Sequence, residues 1–323
     1  MRIGVVGAGA IGGLIGVPLA RIGHEVSALA RGATLEALRS GKWTIERKGV
    51  VEEVRVRASG SAAELGVQDV VVIAVKGPSL MEVARALPPM IGPDTTVLPA
   101  MNGVPWWFLL EGAGSLMPTA LKSVDADGAI ARAIPLRHVV GCVVHASAYV
   151  SAPARVVHQA GHSLIFGEPA GGTSQRVAAL ADVFAGSGLD IVRSDNVRRD
   201  IWYKLWGNMT MNPISAMVRA TSDRILADDL VREFMARVME EARQIGRQIG
   251  CEINESVEAR MDVARNLGAF KTSMLQDAEA GRPLEIDSIV AAPQEIARLL
   301  GLETPNLDTL LGLSRLYARR LPD

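Results

Sequence analysis

The chain has 323 residues, enough for two hydrophobic cores rather than one. A 49% hydrophobic and 21% charged composition with net charge −1 is that of a globular protein, and it gives no electrostatic reason to expect nucleic acid or an anionic membrane as partner. No apolar run reaches membrane-spanning length. Met1-Arg2-Ile3-Gly4-Val5-Val6 starts directly on a strand-like run with no room for a signal peptide, so the expected location is the cytoplasm. The two cysteines, Cys142 and Cys251, stand in no metal or redox spacing and read as buried free thiols.

The first half alternates short β-rich runs with helical segments, the pattern of a parallel sheet with crossover helices. Strands are expected at residues 3–6, 26–30, 70–75 and 96–99, and helices at 11–22, 35–40 and 79–87. Residues 43–47 and 51–57 read as a hairpin turning at Lys48-Gly49. Beyond Pro99 the pattern changes. Residues 139–150, 154–158 and 163–166 read as antiparallel strands, 175–185 as a helix and 190–192 as a strand. From about Val197 the chain is helical almost throughout, with Phe234, Val238, Ala242 and Ile245 at helical spacing. Gly250, Gly281-Arg282-Pro283 and Gly301 divide that region into separate helices. The expected division is residues 1–195 and 196–323.

Gly7-Ala8-Gly9-Ala10-Ile11-Gly12 is a G-x-G-x-x-G directly after one strand and directly before a helix. In that setting the first glycine makes the tight turn, the second admits a pyrophosphate to the backbone, and the third lets helix pack on strand. The helix N-terminus adds free N–H groups and a favourable dipole. The expectation is a Rossmann-like dinucleotide-binding domain holding its cofactor through Gly7, Ala8, Gly9, Ala10, Ile11 and Gly12. The second strand ends in Ala28-Leu29-Ala30-Arg31, with no carboxylate to accept from ribose hydroxyls. Arg31 is a planar, always charged donor suited to a 2′-phosphate, which points to NADP(H).

Trp202 to Asn212 places Lys204, Asn208 and Asn212 four residues apart, so they drift about 40° per step and share one helix face. The surrounding residues are apolar nearly all round, and a buried lysine is costly unless paired or functional. The pattern alone fits two readings: a functional lysine, or one reaching to solvent beside asparagines that bond helix to helix. Pro213 bears on where Asn212 points. Asn102-Gly103 follows a strand end, where open α/β sheets bind ligands, and equally fits a plain turn. Lys76 also ends a strand, near the cofactor or simply at the surface. His158 and His162 flank an expected hairpin turn at 159–161 with no third ligand, so no metal is expected.

Over nearly its whole length the sequence resembles the ketopantoate reductase family, through Gly7–Gly13, Val75-Lys76-Gly77, Asn102-Gly103, residues 204–212 and residues 273–285. The resemblance implies an α/β protein: an N-terminal Rossmann-like domain followed by an all-helical domain. It implies that Lys204 is the general acid with Glu285 reaching the active site. Asn102 becomes a contact to cofactor and substrate, Lys76 a cofactor contact, and Asn208, Asn212 and Ser273 substrate contacts. Asp277 and Asp287 read as helix-end and surface carboxylates. The implied reaction is NADPH-dependent reduction of a small 2-keto acid, 2-dehydropantoate for choice, in the pantothenate and coenzyme A pathway. A homodimer remains open. One stretch departs from the family: Val104-Pro105-Trp106-Trp107 leads into a long connection reaching Pro135, expected to shape the substrate pocket. A related dehydrogenase acting on another keto or hydroxy acid is therefore the nearer alternative. A non-catalytic NADPH sensor is the distant one, since it has no use for a buried lysine facing a glutamate.

Overall fold

A computed structural model describes residues 1–112, 114, 116–266 and 268–320. The chain falls into two units, Met1–Met101 with Gly128–Val197 and Asn102–Asp127 with Arg198–Asp323. Among the described residues no helix is long and apolar enough to cross a membrane.

The first unit holds ten strands: β1 (Arg2–Val6), β2 (Glu25–Leu29), β3 (Trp43–Arg47), β4 (Val50–Val54), β5 (Arg57–Ser59), β6 (Gln68–Ile73), β7 (Ile91–Pro99), β8 (Gly141–Ala152), β9 (Arg155–Gly167) and β10 (Asp190–Ser194). Its helices are α1 (Ala10–Arg21), α2 (Gly32–Ser40), α3 (Ala62–Leu65), α4 (Gly77–Ala86), α5 (Ala129–Ala133) and α6 (Gln175–Val183). One sheet is parallel throughout, in the order β5-β2-β1-β6-β7. Strands buried on both faces read as continuous apolar runs, and Val70, Val71, Val72 and Ile73 of β6 are all at most 2% exposed. The order places β2 and β6 on either side of β1, so the segments leaving those two strands gather at one edge of the sheet.

The second sheet runs β10-β9-β3-β4, with β8 paired antiparallel to β9. Two expectations change here. Residues 51–57 are not one strand: β4 pairs with β3, whereas β5 joins the parallel sheet beside β2. The expected turn at 159–161 is also absent, because β9 runs unbroken through it and the hairpin turns instead between Ala152 and Arg155. Gly161 (φ +67°) is taken up by a register shift opposite His145 and Ser147, so the extra backbone forms a bulge and not a reversal. Trp43 from this sheet is fully buried against α1, where a Cβ in place of Gly16 would lie 2.6 Å from its ring and one in place of Gly13 2.5 Å from Val156 Cγ2.

The second unit is helical: α7 (Val197–Val218, beginning one residue earlier), α8 (Ser222–Ala227), α9 (Asp229–Gln248), α10 (Val257–Arg265), α11 (Ser273–Glu279), a π-turn at Asp287–Ala291, α12 (Ala292–Leu299) and α13 (Pro305–Ala318). α9 starts on Asp228, whose side chain accepts from Val231 N at 3.0 Å, and buries Met235, Val238, Met239, Ala242 and Ile245 as one stripe. α7 runs through Pro213 as a single helix. Its buried Trp202 and Trp206 donate their indole N–H groups to the Ala242 and Met239 carbonyls of α9, at 3.2 and 2.7 Å. Large aromatics with a satisfied polar atom make this contact both apolar and specific. The 102–127 segment belongs to the same unit. Its Lys122 and Ser123 N–H groups both donate to the Glu295 carboxylate at 2.8 Å.

Candidate active site

The glycine loop of the first unit has three glycines with three distinct surroundings. Gly7 takes φ +91°, and a Cβ there would lie 2.7 Å from Val75 Cγ1 and 2.9 Å from the Ala74 carbonyl oxygen. Gly12 is packed harder still, with its virtual Cβ 2.0 Å from the Gly7 carbonyl oxygen. At Gly9, by contrast, nothing comes within 4 Å. A turn, an open face and a close helix–strand contact are what a pyrophosphate-binding loop requires of those positions. Gly9 is also the N-cap of the twelve-residue α1 and has no side chain to cap it, so the first-turn N–H groups of Ala10 and Ile11 lie at the positive end of the helix dipole, which attracts an anion. These residues fit a dinucleotide. Ala8, within the loop, is buried.

Arg31 comes two residues after the end of β2, as the N-cap residue of α2, and is exposed. It has a carboxylate partner that the local sequence does not contain. Its Nη1 donates to Glu82 Oε1 at 3.0 Å and Oε2 at 2.8 Å, and Glu82 comes from α4, fifty-one residues later. Lys76, exposed, is the N-cap residue of α4 three positions past the end of β6.

In the second unit the central contact is Lys204 Nζ donating to Asn102 Oδ1 at 2.8 Å. Lys204 is half-buried on α7, among Trp202, Leu205 and Trp206, each at most 2% exposed. Asn102 is held by the turn it begins. Gly103 takes φ +79°, and a Cβ there would lie 2.5 Å from Ser288 Oγ and 2.7 Å from the Ser288 carbonyl carbon. Val104 N then donates to Ser288 O at 2.8 Å. Ser288 lies in the π-turn that begins just after Glu285, and Glu285 is 6% exposed. The segments carrying Lys204, Asn102 and Glu285 are thus brought together within one unit. A π-turn departs from the regular α-helical ladder and commonly marks such positions.

Asn208 is half-buried one turn beyond Lys204, and Asn212 is 5% exposed two turns beyond, with its carbonyl accepting from Ser215 Oγ at 2.8 Å. Ser273 is exposed as the first residue of α11. Its neighbour Thr272 caps that helix, accepting from Leu275 N at 3.1 Å while its hydroxyl meets Ser215 Oγ at 2.5 Å. This links α11 to α7. Asp277, expected at the surface, is 2% exposed and receives Arg282 Nε at 2.8 Å, which fixes the turn leading to Glu285. A buried carboxylate needs such a partner.

A second titratable group, Tyr203, sits beside Lys204 in the chain. Burial and a hydrogen bond to the Glu255 carboxylate hold its phenol above the ordinary range, making it a weaker acid than usual. Arg260 lies 5.0 Å over its ring. Tyr203 thus braces α7, and its phenol is a poorer proton donor than an ordinary tyrosine. His158 bonds to the Gly161 carbonyl and His162 to Asp190 Oδ2 at 2.9 Å, and among the described residues no group of three metal-capable side chains occurs. Cys142 and Cys251 are free and buried. The residues missed in the sequence are Ser288 and Glu82. Neither carries a local motif, and each acquires its place only through a long-range pairing of segments.

A family model described as Ketopantoate reductase PanE/ApbA matches residues 3–171, and its C-terminal counterpart matches residues 196–318. A 2-dehydropantoate 2-reductase of Mesorhizobium japonicum is 41% identical over 98% of this chain and 98% of its own. Among solved structures, a candidate ketopantoate reductase of Ralstonia solanacearum is 52% identical, covers 98% of each chain and superposes with a TM-score of 0.94. D-mandelate dehydrogenase, solved with NADH and anilino(oxo)acetate, shares the fold at 21% identity and a TM-score of 0.84 over 99% of each chain.

Proposed function

We propose that this chain, which belongs to the ketopantoate reductase family, reduces 2-dehydropantoate to pantoate with NADPH. Membership makes it an oxidoreductase; the phosphorylated cofactor and the individual roles below are our reading. The observation that carries it is the 2.8 Å contact between Lys204 Nζ and Asn102 Oδ1.

NADPH, when bound, supplies the hydride to the carbonyl carbon. Gly7, Ala8, Gly9, Ala10, Ile11 and Gly12 would hold its pyrophosphate and Arg31 its 2′-phosphate, with Lys76 and Asn102 as further contacts. Lys204 holds the proton at Nζ and passes it to the carbonyl oxygen as that oxygen gains charge, so the product is the neutral 2-hydroxyl. Asn102 Oδ1 takes one ammonium N–H and so fixes the direction of the others. Glu285, buried and joined through the π-turn to the Asn102-Gly103 turn, keeps the lysine charged. Asn208, Asn212 and Ser273 bind the keto acid and orient it.

The test is consumption of NADPH against a panel of 2-keto acids, with 2-dehydropantoate expected to give the highest kcat/KM. A charge-assisted contact to phosphate is worth about 1.5–3 kcal/mol, so Arg31→Ala should raise the KM for NADPH tens-fold and leave NADH nearly unchanged. Equal use of NADH and NADPH by the parent protein would refute the assignment of Arg31.

A further inference from the structure

We infer that Glu82 is a resident counter-ion on Arg31 that limits how strongly this protein prefers a phosphorylated dinucleotide. The inference rests on the reading of Arg31 as receptor of the 2′-phosphate. The two side chains are 73% and 70% exposed, so burial does not force them together, and such a pair contributes little to folding. Its place in the fold is what gives it a consequence. Arg31 lies just past β2, Glu82 lies on the helix after β6, and those strands flank β1, which runs into the glycine loop. Ligands of open α/β sheets bind at this edge.

Any anion that Arg31 binds therefore meets a second negative charge on the same guanidinium. Both contacts to Glu82 leave from Nη1, so the pair does not use the Nε–Nη2 edge. That edge can take two phosphate oxygens without the ion pair breaking. Glu82 thus acts by charge and not by obstruction: it partly neutralises the arginine and repels the phosphate. The neutral 2′-hydroxyl of NADH suffers no such repulsion. The expected result is a narrower gap between the two cofactors than Arg31 alone would produce.

Equilibrium titrations of NADPH, NADH and adenosine 2′,5′-bisphosphate test this with the parent, Glu82→Gln, Arg31→Ala and the double variant. Glutamine keeps the shape and removes the charge. Glu82→Gln should bind NADPH and the bisphosphate about two- to fivefold more tightly at low salt, as expected for one exposed charge. The gain should shrink as salt screens it, NADH should be unaffected, and the effect should vanish in the Arg31→Ala background. NADPH affinity that is unchanged or weaker in Glu82→Gln overturns the proposal, and so does a gain that persists without Arg31. An Arg31→Ala protein that binds NADPH like the parent removes the premise and the proposal together. That result is distinct from failure of Glu82 alone, in which Arg31→Ala weakens NADPH while Glu82→Gln changes nothing.

Discussion

Lys204→Ala should lower turnover about 10²–10⁴-fold, the usual contribution of a positioned general acid, while NADPH still binds through the glycine loop and Arg31. The oxygen that receives the proton is becoming an alkoxide, and a cationic donor both offsets that charge and supplies the proton. Asn102 Oδ1, 2.8 Å from Nζ, fixes the ammonium's direction, so Asn102→Ala should lose rate through misaimed proton transfer even though the lysine remains. Glu285→Ala removes a buried negative charge from the neighbouring segment. It should cost less rate than loss of the lysine itself and, on the reading that this carboxylate keeps the ammonium charged, move the alkaline limb of the pH–rate profile to lower pH. The measurement is turnover at saturating NADPH and keto acid, beside cofactor affinity by fluorescence. A folded Lys204→Ala protein that binds NADPH and turns over within about threefold of the parent would mean that the acid lies elsewhere.

The features legible in the sequence are those that depend on short-range spacing. The glycine loop is readable because turn, open face and close packing each demand a glycine within six residues, between a strand and a helix. Lys204, Asn208 and Asn212 are readable as one face because helix geometry relates them directly. Contacts between distant segments are different. Nothing in Asn102-Gly103 by itself indicates that its glycine packs on Ser288, or that its asparagine accepts from a lysine over a hundred residues later. The absence of a carboxylate after β2 is correct locally and incomplete spatially, because the order β2-β1-β6 brings Glu82 to Arg31 from another helix. The misplaced turn at 159–161 has a similar cause. A glycine at positive φ serves a hairpin turn or a bulge equally well, and only the pairing with β8 decides between them. Trp106 and Trp107, carried by the connection expected to shape the substrate pocket, are each 1% exposed and lie in the core.

Trp106→Ala and Trp107→Ala should accordingly act on stability and not on substrate choice. Removing a fully buried tryptophan costs about 3–5 kcal/mol, from lost transfer energy and the cavity left behind. In a protein of this size that is a fall in melting temperature on the order of 10 °C. The segment that carries them is part of the helical core: Phe108 next to them stacks on Trp202 at 6.1 Å, and Glu295 receives two backbone N–H groups farther along. The indole nitrogens allow a finer comparison. Among the described residues neither Trp106 nor Trp107 Nε1 has a hydrogen-bond acceptor. Replacement by phenylalanine therefore gives up volume but no polar contact, and each Trp→Phe variant should lose much less stability than its Trp→Ala counterpart. Thermal melts of the four variants, set beside their relative kcat/KM over a panel of 2-keto acids, separate a core role from a pocket role. Lower melting temperatures with an unchanged order of substrates are expected. A reordered panel at parental stability would show that the two side chains reach the keto acid after all.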